Sequence, residues 1–227
     1  MNRADDAAAI IKTGSHRDMD QLKTAIAQDR ESGSQLLREL ANSNDVEVRA
    51  WVTGAARLLL DRPEALNVLE LLADDRDGDV RSEALRELLE LDARWARRAA
   101  ERYMRILRSA DVLSVIDAMW GLVRLREQAA LEPIRNLASN PKERLVANNA
   151  RVAALVLEGD ERALLEPLEL HDHARVPMSI KGLAYLATPT ALAALMSYAK
   201  AAPDDECARR AKAMLEVVDE VKPLAVN

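Results

Sequence analysis

Few side chains in this sequence have the types and spacing that nucleophilic catalysis or metal binding requires. The chain of 227 residues contains three His residues and a single Cys, Cys207. His171 and His173 are separated by one residue, but zinc needs three or four ligands and no further set of Cys and His residues accompanies them. The chain therefore has few side chains that could support imidazole- or thiolate-based catalysis. We expect no catalytic residue, no metal and no cofactor.

An acidic segment at residues 74–79 resembles a calcium-binding loop in composition only. An EF-hand loop has Gly at its sixth position and Glu at its twelfth. Counted from Asp75, these positions are occupied by Val80 and Arg86. The segment is therefore interpreted as an acidic turn that caps the helix after it.

Side chains of the types that form protein interfaces recur in the second half of the chain. Trp, Tyr and Arg dominate the binding energy of interfaces because they combine a large contact area with directed hydrogen bonds. The candidate partner-binding residues are Asp117, Trp120, Arg124, Asn148, Arg151, Lys181, Tyr185 and Lys212. The alternative is that the two aromatic residues fill gaps between helices while the charged residues are solvated or paired with nearby carboxylates.

A second basic feature is a stripe of arginines in the predicted helix 94–109. It consists of Arg94, Arg98, Arg102, Arg105 and Arg108. Such a stripe could dock an acidic partner or phosphate groups. The preceding predicted helix, 77–91, carries Glu residues at complementary spacing. Mutual pairing on a solvated face is therefore the favoured interpretation.

The elements that position all of these residues are helices that recur with a period of about 32 residues. An anchor residue is followed by small or apolar residues four and eight positions later, which is one face of an α-helix. The anchors are Val48, Val80, Val115, Val146, Val176 and Cys207, at spacings of 32, 35, 31, 30 and 31 residues. Runs of alternating β-branched residues are absent from the sequence, so no strand is predicted. A period of this length is typical of two helices per unit, stacked in an α-solenoid.

Two segments of the sequence resemble HEAT repeats. Residues 45–49 (DVEVR) and 77–85 (DGDVRSEAL) match the D-x-x-V-R-x-x-A core of that family, with Arg49 and Arg81 directly after the anchor. Residues 154–167 (ALVLEGDERALLEP) resemble the helix–turn–helix junction of the bilin-lyase-type HEAT-like subclass. The resemblance covers about residues 33–220. It implies a solenoid in which the second helix of each repeat lines a concave surface.

On this basis we predict an all-α fold, a right-handed α-solenoid of about six two-helix HEAT-like repeats with an N-terminal capping helix. Residues 1–32 are predicted to form the cap, residues 33–221 a single repeat domain, and residues 222–227 a C-terminal tail. The candidate partner-binding residues fall two, five or nine positions after an anchor. Because these positions point away from the buried face of a helix, we expect them on the concave surface.

The net charge of the chain indicates which class of macromolecule it would bind. The formal net charge is −6 and the sequence pI is about 5.3. Nucleic-acid binding requires clustered basic residues that neutralise phosphates, so an acidic chain makes it an unfavoured function. An acidic protein surface instead suits another protein with a basic surface. The absence of an apolar run of 18 residues, or of a secretory signal, favours a soluble, cytoplasmic protein without membrane contact.

We therefore predict a non-catalytic protein-binding module, acting as an adaptor or scaffold or as a dedicated, immunity-type inhibitor of a partner protein. A lyase-like role is also open through the subclass resemblance. The enzymatic alternative is a HEAT-like alkylpurine DNA glycosylase, a family that uses a concave Asp, an Arg and Trp residues. In this sequence Asp117, Trp120 and Arg151 are residues of those types. The oligomeric state is left open.

Overall fold

The structure is a computed structural model, and it describes residues 3–59, 62–91, 95–140, 142–201 and 205–218. Within these residues all regular structure is helical, and no strand occurs. The prediction of an all-α fold is confirmed. No helix in the described ranges is long and apolar enough to cross a membrane.

Fourteen α-helices follow one another along the described residues. The first seven are α1 (Arg3–Thr13), α2 (His16–Gln28), α3 (Arg30–Ala41), α4 (Val46–Leu59), α5 (Arg62–Leu72), α6 (Gly78–Leu91) and α7 (Ala96–Ile106). The other seven are α8 (Val112–Arg124), α9 (Leu131–Ala138), α10 (Arg144–Glu158), α11 (Glu161–Glu169), α12 (Val176–Leu186), α13 (Pro189–Ala201) and α14 (Glu206–Glu216).

The chain divides into two compact units, Met1–Ala99 and Ala100–Asn227. In the first unit, α4 packs against α5 and α6, and α3 packs against α4 and α5. In the second unit, α8, α10, α12 and α14 form a row in which each helix contacts the next. The helices between them pack alongside, α9 on α10, α11 on α12 and α13 on α14. The predicted division into cap, repeat domain and tail stays a prediction.

The core is built from the periodic positions. Five of the six anchors are buried, and Cys207 is half-buried. All six residues that follow the anchors by four positions are fully buried: Val52, Ala84, Met119, Ala150, Ile180 and Ala211. The predicted buried face of the helices is therefore confirmed. Burial of these apolar side chains is the main favourable contribution to folding.

Asp45, Asp77 and Asp204 each stand three residues before an anchor, a position from which a carboxylate is expected to cap the helix. The Oδ1 atoms of Asp45 and Asp77 accept hydrogen bonds from backbone N–H groups in the first turns of α4 and α6, at 3.0 and 3.1 Å. These bonds satisfy donors that a helix leaves without a partner, and the negative charge opposes the helix dipole. The third predicted cap, Asp204, lies outside the described residues. Asp205 caps α14, accepting from the backbone N–H of Cys207 at 2.6 Å.

The two HEAT-like segments make the same polar contacts 32 residues apart. The Arg49 guanidinium donates to the backbone oxygen of Ser43 at 2.9 Å, and that of Arg81 donates to the backbone oxygen of Asp75 at 2.7 Å. Arg49 also binds the Asp75 carboxylate through two hydrogen bonds of 2.7 and 3.0 Å. Burial raises the pKa of the Asp75 carboxyl, but the hydrogen bonds from Arg49 and the backbone outweigh this effect and hold the pKa below its ordinary value.

Glycines six positions after the anchor allow close packing in the second unit. A Cβ atom on Gly121 would lie 2.5 Å from the ring of Tyr103, and one on Gly182 would lie 2.7 Å from Val152. At both sites the absence of a side chain therefore allows a close approach between helices. Gly54, at the same position in α4, would place its Cβ atom in open space.

Candidate partner-binding site

The centre of the candidate site is a buried tryptophan with a satisfied hydrogen bond. Trp120 on α8 is only 4% exposed. Its indole N–H donates to the side-chain oxygen of Asn149 on α10 at 2.9 Å. The amide nitrogen of Asn149 in turn donates to the backbone oxygen of Leu145 at 2.9 Å. Both polar side chains therefore keep hydrogen bonds in a region from which water is largely removed.

Two side chains of α12 cover the tryptophan. The ring centroids of Trp120 and Tyr185 are 4.4 Å apart with an angle of 47° between the ring planes. The ammonium nitrogen of Lys181 lies 4.2 Å from the Trp120 centroid and 6.0 Å from the Tyr185 centroid. Both distances allow a cation–π interaction. We call Trp120, Asn149, Lys181 and Tyr185 the aromatic–lysine cluster.

The electrostatics of this cluster are set by burial and by two charges on α8. Burial lowers the pKa of Lys181 to about 8, although the negative charge of Asp117 acts in the opposite direction. Burial raises the pKa of Tyr185 to about 12, while Arg124 lowers it and Asp117 raises it. At neutral pH the lysine is therefore mostly charged and the phenol is neutral. Asp117 and Arg124 act on the same cluster from one helix.

The predicted site residues divide into a buried group and an exposed group. Trp120 and Arg124 are buried, at 4% and 8% exposure, so their side chains offer a partner very little contact area. Lys181 and Tyr185 are half-buried. The exposed members are Asp117, Asn148, Arg151 and Lys212.

The exposed members of α10 and α14 are separate from the aromatic–lysine cluster. Arg151 donates to the side-chain oxygen of Asn148 at 2.9 Å. Within the part of the chain that the structure describes, no hydrogen bond, ion pair or ring contact joins Arg151, Asn148 or Lys212 to that cluster. The structure thus brings together Asp117, Trp120, Arg124, Lys181 and Tyr185, and leaves the other three on neighbouring helices.

The helix that carries the basic stripe is shorter than predicted. Its helix is α7, Ala96–Ile106, so Arg108 lies in the turn after the helix, and Arg94 lies outside the described residues. Arg98 belongs to the first unit, where it pairs with Glu70 at 3.2 Å and stacks over Trp95 at 4.8 Å. Arg102 and Arg105, with Arg108, belong to the second unit. Arg98 therefore pairs with a Glu of α5, whereas the sequence favoured the Glu residues of helix 77–91.

Sequence reasoning missed two residues that support the site. Asn149 binds Trp120, and its signal was a polar residue among the buried positions of α10. Arg126 follows α8 with a φ angle of 54° and donates to the backbone oxygens of Val156 at 2.9 Å and Leu186 at 3.1 Å. One guanidinium thus binds carbonyl groups at the C-terminal ends of α10 and α12, where the helix dipole favours a positive charge. No pattern in the sequence predicted this contact.

The chemistry available at the site is recognition by charge and by aromatic surface. It contains ammonium, guanidinium, carboxylate, amide and aromatic groups. Among the residues that the structure describes, no three His, Cys, Asp or Glu side chains are placed to hold a metal ion together. No protein-family model matches the chain, and no similar protein is found among curated sequences.

Proposed function

We propose that the chain is a right-handed α-solenoid of about six HEAT-like repeats and that it binds another protein without catalysing a reaction. The binding surface in this proposal is formed by the row of helices α8, α10, α12 and α14. The observation that carries the proposal is a cation five positions after the anchor in three successive helices of that row. These cations are Arg151, Lys181 and Lys212.

The register of these cations supports a common surface. Each cation directly follows a fully buried residue in the sequence. These buried residues are Ala150, Ile180 and Ala211. The helices α10, α12 and α14 contact one another in order. Side chains at the same register on neighbouring helices lie on the same side of the layer. A continuous surface of this kind is what repeat proteins use to bind macromolecules.

The repeat array is supported by contacts in both units. In the first unit, Arg49 and Arg81 bind the backbone in the same way 32 residues apart. In the second unit, α8 contacts α10, α10 contacts α12, and α12 contacts α14. Both features are typical of stacked two-helix repeats.

The aromatic–lysine cluster favours a preformed surface. The Trp120 indole is held by Asn149 and covered by the side chains of α12. A surface that is ordered before binding loses less conformational entropy when the partner arrives. This suits either a scaffold or a dedicated inhibitor of one partner. Tight, exclusive binding of a single protein would support the inhibitor.

The glycosylase alternative receives less support from this geometry. An enzyme of that kind needs its Trp residues free to hold DNA, but Trp120 is 4% exposed and lies under Lys181 and Tyr185. The net charge of −6 also opposes binding to phosphates.

The proposal is tested by affinity capture from a native lysate with three forms of the protein. The test variant carries Arg151→Glu and Lys212→Glu, both at exposed positions of the row. The control variant carries Arg162→Glu and Lys200→Glu, which make the same charge change on the exposed sides of α11 and α13. We expect a protein retained by the wild type and by the control but lost by the test variant. Equal retention by all three forms, or an eluate that contains only nucleic acid, would contradict the proposal.

A further inference from the structure

We infer that the row surface accepts an acidic protein segment whose carboxylates bind Arg151, Lys181 and Lys212. This inference rests on the proposed function and names the chemistry of its partner. It assigns the local surface a preference opposite to the one that the net charge of the whole chain suggests. The two differ because a partner meets the charges of the surface that it touches, while distant exposed charges are screened by salt.

The three cations have no carboxylate partner of their own. Across the described residues, no carboxylate lies within 4.0 Å of the charged nitrogens of Arg151, Lys181 or Lys212. Arginines elsewhere in the same unit behave differently. Arg135 pairs with Glu132 and Glu158, and Arg175 pairs with Glu166 and Asp172. The carboxylates near these arginines are thus already paired, while in the described part of the chain the ammonium and guanidinium groups of the three row cations are not paired with a carboxylate.

Of the three cations, Lys181 would be stabilised most by a bound anion. It is half-buried, and its ammonium nitrogen lies 4.2 Å from the centroid of the Trp120 ring. An ammonium that has lost part of its hydration gains more from a nearby carboxylate than a fully solvated one does. Burial lowers the pKa of Lys181 by more than the negative charge of Asp117 raises it, so this carboxylate only partly compensates for the lost hydration. A carboxylate bound directly to the ammonium would add the remaining compensation.

Spacing limits which acidic segment fits. Neighbouring packed helices lie about 8–10 Å apart. A segment in the polyproline II conformation has three residues per turn and advances about 3.1 Å per residue, so every third side chain points the same way at intervals of about 9 Å. Three carboxylates at every third position of such a segment therefore match three cations on successive helices.

A protein segment fits this surface better than a nucleic acid does. The row supplies three such cations, whereas tight phosphate binding neutralises about 6–10 phosphates. Base stacking needs an open aromatic face, and the Trp120 ring is buried. Carboxylates can also be placed one by one, while phosphates bring an unbroken line of charge that the acidic remainder of the protein would repel.

The test uses a fluorescent peptide in which Glu occupies every third position and Ser or Gly fills the others. Its control peptide has the same composition with the Glu residues adjacent. Binding to the full chain is measured by fluorescence anisotropy at low ionic strength. We expect the spaced peptide to bind more tightly than the control peptide. The combined variant Arg151→Gln, Lys181→Gln, Lys212→Gln should weaken binding by roughly tenfold or more, from three charge contacts.

A matched variant controls for non-specific attraction. Lys142→Gln, Arg162→Gln and Lys200→Gln remove the same charge from exposed positions outside the row register, and we expect a change of less than about twofold. If the half-buried Lys181 substitution prevents folding, as circular dichroism would show, the pair Arg151→Gln, Lys212→Gln replaces it. The inference is overturned by no binding, by equal losses in both variants, or by tighter binding of duplex DNA through the same residues.

The two proposals fail in different ways. If the peptide does not bind but the lysate partner is still lost by the row variant, the protein-binding function stands and the acidic segment is wrong. If no partner depends on the row, the proposed function fails, whatever the peptide does.

Discussion

Trp120 on α8 and Asn149 on α10 are joined by a buried side-chain hydrogen bond of 2.9 Å. The two residues are 4% and 5% exposed. Each would be destabilising alone, because a buried polar group without a partner loses its hydration without compensation. Together they fix the distance and rotation between two helices of the row. The aromatic–lysine cluster depends on this bond, since Lys181 and Tyr185 pack on the ring that it holds.

Replacing Asn149 tests this bond directly. Asn149→Ala leaves the indole N–H buried without its acceptor, so we expect the free energy of unfolding to fall by about 1–3 kcal/mol. The neighbouring Asn148→Ala is the matched control, because Asn148 is exposed and its side chain accepts a hydrogen bond from the exposed Arg151. Its effect should stay within about 0.5 kcal/mol. Thermal melts measure both, at about 2–4 °C per kcal/mol for a chain of this size. Similar melting points for the two variants would show that the buried bond contributes little.

The charge of Lys181 makes stability depend on pH. Burial lowers its pKa in the folded state to about 8, while an unfolded lysine has a pKa of about 10.4. Between these values the unfolded chain binds more protons than the folded chain, so the free energy of unfolding rises with pH. Below about pH 8 both states are protonated and this contribution is constant.

The variant Lys181→Met isolates that effect because it keeps the length of the side chain and removes its charge. Between pH 8 and 10 we expect the free energy of unfolding of the wild type to rise by about 1–2 kcal/mol relative to the variant. This value is smaller than the full pKa shift would give, because Lys181 is partly exposed to solvent. Urea unfolding at several pH values measures the difference. The two proteins are compared only below about pH 10. Above that value the tyrosines of the unfolded chain ionise, whereas burial raises the pKa of Tyr185 in the folded chain to about 12, so a second group also changes the stability. Parallel pH profiles for the two proteins would refute the assigned shift.

Two glycines at the same repeat position should respond to alanine with opposite signs. At Gly121 a Cβ atom would lie 2.5 Å from the ring of Tyr103, which is itself buried. Gly121→Ala should therefore destabilise the protein by about 1–3 kcal/mol through overpacking. Gly54 faces open space within α4, and Gly54→Ala should stabilise it by about 0.5–1 kcal/mol. Melting points that move in the same direction would contradict the packing described for Gly121.

The Arg49–Asp75 pair should matter far more than a surface pair of the same unit. Its side chains are 4% and 7% exposed, so Asp75→Asn leaves a buried guanidinium without its counter-ion. Loss of one partner of such a pair costs about 3–5 kcal/mol. The control is Glu70→Gln, which breaks the exposed pair with Arg98 and should cost less than about 1 kcal/mol. Chemical denaturation of the two variants, compared with wild type, is the measurement.

Acid should reproduce part of the Asp75→Asn effect in the wild type. The folded-state pKa of Asp75 lies below its ordinary value of 3.8. The stabilisation is therefore present above about pH 4 and is lost as the pH falls through the folded-state pKa. The Asp75→Asn protein should lack this particular loss.

The sequence by itself determined that the chain is helical and which face of the anchor-bearing helices is buried. Five of the six anchors and all residues four positions later are in the core as predicted, and Asp45 and Asp77 cap their helices. Gly14 and Ser15, residues of types that commonly interrupt helices, separate α1 from α2. These features depend on neighbours along one helix, where the periodicity of 3.6 residues and the unpaired terminal N–H groups set the outcome. Local physics of this kind can be read from residue types and spacing.

Only the tertiary structure decided how the candidate residues meet. Trp120 and Lys212 occupy the same register, yet one is buried and the other is exposed. The reason is that side chains from α12, 61 and 65 positions further along the chain, cover the Trp120 ring. Arg126 likewise binds carbonyl groups 30 and 60 residues away. Such contacts depend on the size and reach of side chains on other helices, and a single helix pattern contains no information about them.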